Sequence, residues 1–186
     1  MKKLLVLALV VGLIVPLVAS DKKYATQGVV ELGGTAGFSS ISTKLDVEGA
    51  ESVTTTTLSL APEVGYFVAD NISLGAVLNI ASVNVEYADA YTTTGILLAP
   101  TYVFKGESAY PFVGLLLGLS SSKAGDYTEN STIYGLRGGV KVKLGGNGLL
   151  NLGLSYTAGS ESDNDEPSNK YNLGIIRLNA GFSLYL

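Results

Sequence analysis

The sequence predicts an all-β protein: an eight-stranded antiparallel up-and-down transmembrane β-barrel, preceded by a cleavable signal peptide. Three observations support this prediction. Of the 186 residues, 47% are apolar and only 15% are charged, well below the roughly 25% charged residues of soluble domains. After an apolar N-terminal run, nearly every stretch alternates bulky apolar residues with small or polar ones, which is the period of a β-strand. No other apolar run is long enough for a helical span, and lipid accepts only helices and closed barrels.

The first twenty residues have the three-part pattern of a secretory signal peptide. Lys2 and Lys3 are followed by an apolar run from Leu4 to Val15, and small residues at 18–20 suit cleavage after Ser20. The alternative, a membrane anchor, is disfavoured because the run is shorter than the roughly 20 residues that a spanning helix needs. The predicted organisation is a signal peptide over 1–20, a short periplasmic segment over 21–27 and a barrel over 28–186.

The first four predicted strands cover about residues 28–40, 54–68, 72–84 and 93–104. Each has a bulky apolar face opposite a face rich in Gly, Ser, Thr and Ala, as expected of strands with two different environments. The apolar faces consist of Val30, Leu32, Ala36 and Phe38 in the first strand; Leu58, Leu60, Pro62, Val64 and Tyr66 in the second; Ile72, Leu74, Ala76, Leu78 and Ile80 in the third; and Ile96, Leu98, Pro100, Tyr102 and Phe104 in the fourth.

The last four predicted strands cover about residues 110–121, 134–144, 149–158 and 171–186. Most of the eight strands have at least the 9–11 residues that a tilted membrane strand needs. The apolar faces consist of Val113, Leu115, Leu117 and Leu119; Tyr134, Leu136, Val140, Val142 and Leu144; Leu150, Leu152, Leu154 and Tyr156; and Ile176, Leu178, Ala180, Phe182, Leu184 and Leu186.

The connections are predicted to alternate between short and long. Short turns follow strands two, four and six, and the last of these is the Asn-Gly type turn at 145–148. Longer connections of about eight to thirteen residues follow the other strands, and eleven of the sixteen acidic residues lie in them. Bacterial barrels have short periplasmic turns and longer extracellular loops. We therefore expect both termini in the periplasm and an acidic extracellular surface.

Aromatic residues on the apolar faces are predicted to form two girdles, one at each membrane interface. The extracellular girdle would consist of Phe38, Tyr134 and Tyr156. The periplasmic girdle would consist of Tyr66, Tyr102, Phe104 and Phe182. The β-propensity of Tyr and Phe alone would not sort them to the strand ends.

Two segments resemble small barrels of the OmpA transmembrane and OmpX-like class. The alternating end Leu178-x-Ala180-x-Phe182-x-Leu184-x-Leu186 resembles the C-terminal assembly signal of outer-membrane barrels, with Leu186 in place of the usual Phe. The segment Ala61–Asn71 resembles the second hairpin of the class. The resemblance implies a bacterial outer-membrane location, contact with membrane lipid and lipopolysaccharide, and recognition by the barrel-assembly machinery through the last strand.

Six ionisable residues fall on inward-facing positions of the predicted strands. Lys143 lies near the periplasmic rim, where it can be solvated, and the other five lie deeper. An isolated charge there would be costly, so we expect pairing. The predicted network plugs the lumen and joins Glu31 and Glu63 to Arg137, Lys141 and Arg177. The alternative is that these charges form the constriction of a pore.

The residue inventory gives little support to an enzyme or a cofactor-binding protein. The chain has no His and no Cys, whereas the barrel enzymes it resembles, the lipid A modifiers and the omptin proteases, use a catalytic His. We predict no catalysis, no cofactor and no structural metal. The acidic cluster 163–166 suits either weak cation bridging to lipopolysaccharide or a solvated loop, and the acidic mature chain does not suggest nucleic-acid binding.

Two functions remain open from the sequence. The first is a structural or surface-interaction role, such as envelope integrity or adhesion, through the acidic extracellular loops. The second is a narrow channel for small apolar molecules with a lateral exit, as in the OmpW-like class that the chain also resembles. The inward apolar residues Leu97, Phe112 and Leu116 suit the channel, although they also suit simple lumen packing.

Overall fold

We describe the fold from a computed structural model, which covers residues 23–44, 52–86, 90–125, 127–162 and 170–186. The predicted signal peptide over 1–20 and the acidic cluster 163–166 lie outside these residues. No helix in the described ranges is long and apolar enough to cross a membrane.

Long antiparallel strands make up almost all of the described chain. They are β1 (Val30–Lys44), β2 (Ser52–Ala69), β3 (Ile72–Val85), β4 (Tyr91–Leu98), β5 (Thr101–Val103), β6 (Ala109–Ala124), β7 (Tyr127–Gly145), β8 (Gly148–Ser162) and β9 (Lys170–Tyr185). Strands that follow each other along the chain pair, except that β4 and β5 each pair with β3 and β6 instead of with each other, and β1 pairs with β9. The sheet therefore closes on itself, which confirms the predicted antiparallel up-and-down barrel.

Strands β4 and β5 together form the fourth strand of the barrel. Pairing of β4 with β6 ends at Leu98–Leu117 and resumes in β5 at Thr101–Gly114, in the same register. Pro100, which lacks an N–H group, lies in the gap. Ala99 still exchanges two backbone hydrogen bonds with Gly75, and the Pro100 carbonyl accepts one from the Leu115 N–H. The predicted strand 93–104 therefore continues through this point, and the barrel has eight strands.

The two faces of the strands lie where the alternation predicts. The bulky apolar side chains cover the outer surface and are exposed, among them Leu58, Leu60, Leu74, Ile96, Leu98, Leu115, Leu117, Leu119, Leu136, Leu154 and Leu178. Polar side chains are buried inside, among them Ser73, Thr101, Ser120, Ser131, Ser155, Thr157 and Ser183. A continuous apolar exterior of this size marks a surface that contacts a partner or a membrane.

One end of the barrel, here called the turn end, holds the short connections. Asp70–Asn71 joins β2 to β3, residues 104–108 join β5 to β6, and Gly146–Asn147 joins β7 to β8. Asn71 has a positive φ of 70°, a conformation that Asn tolerates in tight turns. Lys23 and Leu186 lie at this same end, because β1 begins there and β9 ends there.

The opposite end, here called the loop end, differs from the prediction in the length of its strands. The connection between the predicted strands five and six, residues 122–133, is mostly paired strand. Strands β6 and β7 stay in register up to Ala124 and Tyr127, so only residues 125 and 126 lie between them in the sequence. The sequence did not predict these strand extensions because the segment is polar and lacks an alternating apolar face. Backbone pairing does not require such a face, so the strands continue.

Closure between β1 and β9 is short compared with the other pairings. The two strands pair only from Val30–Leu186 to Thr35–Gly181. Beyond Thr35, β1 continues to Lys44 beside β2, and β9 begins at Lys170 beside β8. Residues 36–44 of β1 and 170–180 of β9 therefore face each other without backbone pairing. We call this unpaired stretch the seam.

Candidate functional site: the barrel lumen

The lumen is closed at the turn end by the segment Lys23–Val29, which precedes β1. Tyr24, Ala25 and Val29 are buried there in an apolar cluster. The other buried members of the cluster are Phe67, Val103, Phe112, Leu149 and Tyr185, and Tyr110 packs against it. The ring of Tyr24 lies 4.9–5.4 Å from three aromatic rings, counted between centroids. We call this cluster the floor.

Backbone hydrogen bonds fix the segment in place. The Gly28 N–H donates to the Phe67 carbonyl (2.8 Å), and the Asn71 N–H donates to the Ala25 carbonyl (2.8 Å). The Gln27 N–H donates to the Asp70 carboxylate (2.9 Å). The segment is therefore bound to the turn between β2 and β3, and Tyr24 is held inside the barrel.

Above the floor, Glu31 is the centre of a buried polar group. Its carboxylate accepts hydrogen bonds from Lys141 Nζ (2.5 Å), Ser183 Oγ (2.6 Å) and the Tyr24 hydroxyl (2.8 Å). The ammonium of Lys141 also lies over the ring of Phe112, at 5.4 Å from its centroid. Burial raises the pKa of the Tyr24 phenol well above its usual range, and the nearby Glu31 carboxylate raises it further.

The second acid, Glu63, forms a bidentate ion pair with Arg137. This pair lies closer to the loop end than the pair of Glu31 and Lys141. Both guanidinium Nη atoms donate to the carboxylate at 2.7 Å, and Nη2 also donates to the Thr101 hydroxyl. Such bidentate pairs fix both side chains strongly. The Arg137 Nε atom is buried and has no hydrogen-bond partner among the described residues. The two acids thus pair with two bases that lie four residues apart on β7.

Arg177, which was predicted to join this network, lies apart from both acids. Its Nη1 donates to the Thr157 hydroxyl at 3.2 Å, and the two ion pairs of the described chain do not include it. Arg177 lies at the same level as Arg137, because both are opposite Ser155 of β8, one from β9 and the other from β7. Glu63 is already occupied by Arg137. Lys143 is exposed near the turn end.

Apolar residues line the side of the lumen that lies opposite β9, and we call them the wall. Val77, Leu97, Ala99 and Leu116 form a buried cluster against which Ala61 and Ile133 pack. These residues come from β2, β3, β6 and β7 and from the fourth barrel strand, which lies opposite β9 in an eight-stranded ring. The lumen thus has an apolar side and a polar side. Of the inward residues that suggested a channel, Leu97 and Leu116 lie in this wall and Phe112 lies in the floor.

The aromatic residues of the two predicted girdles all lie on the outer surface. Phe38, Tyr134 and Tyr156 are exposed towards the loop end, and Tyr66, Tyr102, Phe104 and Phe182 are exposed towards the turn end. Tyr102 and Phe104 contact each other edge to face, with centroids 5.0 Å apart. Their role as interface anchors stays a prediction.

Sequence reasoning missed Tyr24 as a lumen residue. The segment 23–29 has no alternation and forms no strand, so the period-two pattern that located the other inward residues gives no signal there. The one feature of the sequence that could have indicated the buried position of Tyr24 is that an aromatic residue lies shortly before the first strand. No group of three or more Asp, Glu, Cys or His residues is arranged to bind a metal within the described ranges.

Two solved structures share this architecture. The outer membrane protein AlkL, determined by solid-state NMR in DMPC lipid bilayers, aligns over 90% of this chain and 94% of its own, with 16% identity and a TM-score of 0.52. The crystal structure of Neisserial surface protein A aligns over 85% of this chain and 97% of its own, also with 16% identity and a TM-score of 0.52. No family model and no curated protein matches the sequence.

The likeness establishes the fold, that of small eight-stranded outer-membrane barrels. Together with the apolar exterior, it places the chain in the bacterial outer membrane. The closer resemblance to the OmpA and OmpX-like class stays a prediction, as does the absence of catalysis.

Proposed function

We propose that this outer-membrane barrel is a closed protein with a structural and surface-interaction role, and that it is not an open pore. The observation that supports the proposal is the filled turn-end half of the lumen, where the floor and the two ion pairs lie one above the other. An eight-stranded barrel has just enough interior for its own side chains. We take the turn end as periplasmic, because barrels have their short turns on that side.

The floor and the ion pairs together oppose ion flow. A hydrated ion would have to displace the Tyr24 ring from three aromatic neighbours and separate Glu31 from Lys141. Removing one partner of a buried ion pair typically costs about 3–5 kcal/mol. Such a path would open too rarely for steady conduction.

The surface role would be carried by the loop end, where the β6–β7 hairpin extends beyond the apolar band. Glu86 and Glu129 lie at this end, and the sequence places further acids in its connections. We propose that these acids bind divalent cations shared with lipopolysaccharide phosphates, or a small surface partner. We further propose that β9 is the strand that the barrel-assembly machinery recognises.

Planar-bilayer recording tests the closed lumen. The full chain should give no steady open state. Tyr24→Ala should add openings because it removes the ring from the floor, whereas the matched control Tyr24→Phe should stay closed. A stable pore in the unmodified protein, with ion selectivity that is lost in Arg137→Ala, would overturn the proposal in favour of a charged constriction.

A second candidate function, a lateral route for small apolar molecules, is favoured by the seam. Unpaired backbone groups within a bilayer are tolerated where they line a water-filled cavity, and the seam adjoins the lumen next to Arg177. Phe38 and Leu178 face each other across it in the register set by β1 and β9, and both are exposed. The seam would then connect the loop-end lumen to the lipid.

A disulfide across the seam tests this second function. The chain has no cysteine, so Phe38→Cys with Leu178→Cys introduces a single pair that can close the seam. Uptake of an apolar fluorescent probe, N-phenyl-1-naphthylamine, by cells that express the oxidised variant should fall and should recover under reductant. The single variant Phe38→Cys is the control. Equal uptake with the seam open and closed would exclude the lateral route.

A further inference from the structure

Towards the loop end, the outer surface of three neighbouring strands changes from apolar to polar. Ile96 on β4, Leu119 on β6 and Tyr134 on β7 are the last large apolar residues on this face. Beyond them, the same face carries hydroxyl and amide side chains and a lysine. We call this patch the collar, and it consists of Thr92, Thr94, Ser121, Lys123, Asn130 and Thr132.

Strand pairing joins the collar into one accessible surface. Thr94 is opposite Ser121, and Ser121 is opposite Asn130. One step nearer the loop end, Thr92 is opposite Lys123. Opposite side chains in an antiparallel pair have Cβ atoms about 4.5–5.5 Å apart. Ser121 is half-buried and the other members are exposed, so a polar ligand on this surface can contact side chains of three strands.

The collar is free of acidic residues although it lies at the acidic end of the barrel. Eleven of the sixteen acids of the sequence fall in the long connections of this end. Glu129 is on β7, but on the inward face with Arg137. On the outward face of β4, β6 and β7 beyond the apolar band, Lys123 is the charged residue within the described ranges. The collar therefore offers hydrogen-bonding groups and a positive charge.

The depth of the collar corresponds to the head groups of the outer leaflet. The polar region of a bilayer adds about 5–8 Å on each side of the hydrocarbon core, and two residues of a strand span about 7 Å. Thr94, Ser121 and Thr132 are each two residues beyond the last apolar residue of their strand. The remaining members lie one step further out. At this depth a glycolipid of the outer leaflet carries phosphorylated sugars.

We propose that the collar binds the core saccharide of the outer-leaflet glycolipid. Its hydroxyl and amide groups exchange hydrogen bonds with sugar hydroxyls, and the Lys123 ammonium binds a phosphate or carboxylate carried by the sugars. The occupant follows from continuity with the membrane-contacting surface, since a glycolipid whose acyl chains contact the apolar band has its sugars beside the collar.

This inference rests on the proposed orientation, with the loop end outside, and it deepens the proposed surface role. The two kinds of contact with the glycolipid differ in their need for metal ions. The acids of the loop end would bind its phosphates through divalent cations, whereas the collar binds its sugars directly. Chelation of divalent cations therefore separates them.

A competition between two glycolipids tests the proposal. The full chain, with an affinity tag, is equilibrated in mixed micelles with equal amounts of lipid A, which lacks the core saccharide, and rough lipopolysaccharide, which carries it. The detergent is a sugar-free polyoxyethylene ether, and EDTA removes divalent cations. Mass spectrometry of the recovered protein gives the ratio of the bound glycolipids. We expect rough lipopolysaccharide to be enriched about fivefold or more, which corresponds to about one net hydrogen bond.

Substitutions on the two faces of β4 separate the collar from the rest of the barrel. Thr92→Val with Thr94→Val removes two outward hydroxyls and keeps the β-branched shape that suits a strand. This variant should lower the enrichment by about half or more. The matched control Thr93→Val removes the inward hydroxyl between them, which is hydrogen-bonded to Ser122, and should leave the ratio unchanged.

A second pair of variants tests the positive charge. Lys123→Gln should lower the enrichment, whereas Lys143→Gln, which removes an exposed lysine near the turn end, should not. Unheated samples on gels show whether each variant has folded. If the double valine variant does not migrate as the folded form, Asn130→Ala tests the hydrogen bonds of the same surface, with the same expected decrease.

The outcomes distinguish the collar from binding through divalent cations. Equal retention of both glycolipids in EDTA, or an enrichment unchanged in the collar variants, would exclude the collar. Retention that appears only with Mg²⁺ and does not favour the core saccharide would exclude the collar and leave the cation-mediated contact intact. Failure to retain either glycolipid with or without Mg²⁺ would exclude both.

Discussion

At the scale of single residues, the lumen shows how buried charges are accommodated in a narrow barrel. Each acid is paired with a base, and Glu31 also accepts hydrogen bonds from Ser183 and Tyr24. A buried pair adds little net stability compared with an apolar pair, but a half-removed pair is costly. Substitution of one member of an ion pair should therefore lower the stability of the barrel more than substitution of both members.

Glu63→Gln tests this sensitivity. The change leaves the Arg137 guanidinium without a counter-charge and should lower the free energy of unfolding by about 3 kcal/mol. Urea titration in phospholipid vesicles, followed by the gel shift of the folded form, measures the loss. The double variant Glu63→Leu with Arg137→Met should be more stable than Glu63→Gln; a double variant of equal or lower stability would contradict the charge argument.

Tyr24→Phe tests the hydroxyl in the floor through its pH dependence. Because the pKa of Tyr24 is raised in the folded protein, its stabilisation is fully present below the unfolded tyrosine pKa of about 10. It is lost as the pH rises through the higher folded value. The stability difference between the parent and Tyr24→Phe should therefore be constant up to about pH 10 and shrink above it. A constant difference up to pH 12 would contradict the assignment.

At the scale of strands, alternation predicted which face of each strand points outwards but not where the strands end. Leu58, Leu60 and Leu154 were correctly assigned to the exterior. The extensions at the loop end were missed because Ser122 and Glu129 pair in the β6–β7 ladder without an apolar face. Likewise, alternation placed the charged residues inside, but the choice of Arg137 for Glu63 depends on strand register and tilt, which a period of two does not specify.

Hydrogen exchange tests the seam. In β1 the N–H of Val30 points to β9, and N–H directions alternate along a strand. The amides of Ala36, Phe38, Leu178 and Ala180 therefore point into the seam, whereas those of Leu32 and Gly34 lie in the paired stretch. We expect NMR in lipid bicelles to show faster exchange at the first set than at the second. Equal protection of both sets would mean that the two strands pair along the seam.

At the scale of the whole molecule, the barrel has its apolar side chains outside and its charges inside, the reverse of a soluble domain. The fold could be predicted because this inversion recurs in every strand. The closed floor could not, because segment 23–29 follows no periodic pattern. Its burial becomes apparent only when the strands have curved into a ring with an open end.

Leu154→Arg tests the membrane contact. Leu154 is exposed on the outer surface of β8, midway between Leu149 at the turn end and Gly159. A charge near the bilayer midplane destabilises barrels by about 2–4 kcal/mol. Urea titration in vesicles should show that loss, and Asn151→Ser on the opposite face of β8 should change stability by less. An unchanged midpoint for Leu154→Arg would argue against lipid contact there.

The two ion pairs also bear on how the protein folds. Both bases lie on β7, and their acids lie on β1 and β2, 110 and 74 residues away along the chain. Contacts between such distant segments form late and slowly. They span the interior and hold β1 and β2 near β7, so the short pairing between β1 and β9 suffices to complete the ring. The rate-limiting event of assembly would then be the meeting of charges across the lumen, and strand pairing along β1 and β9 would follow it.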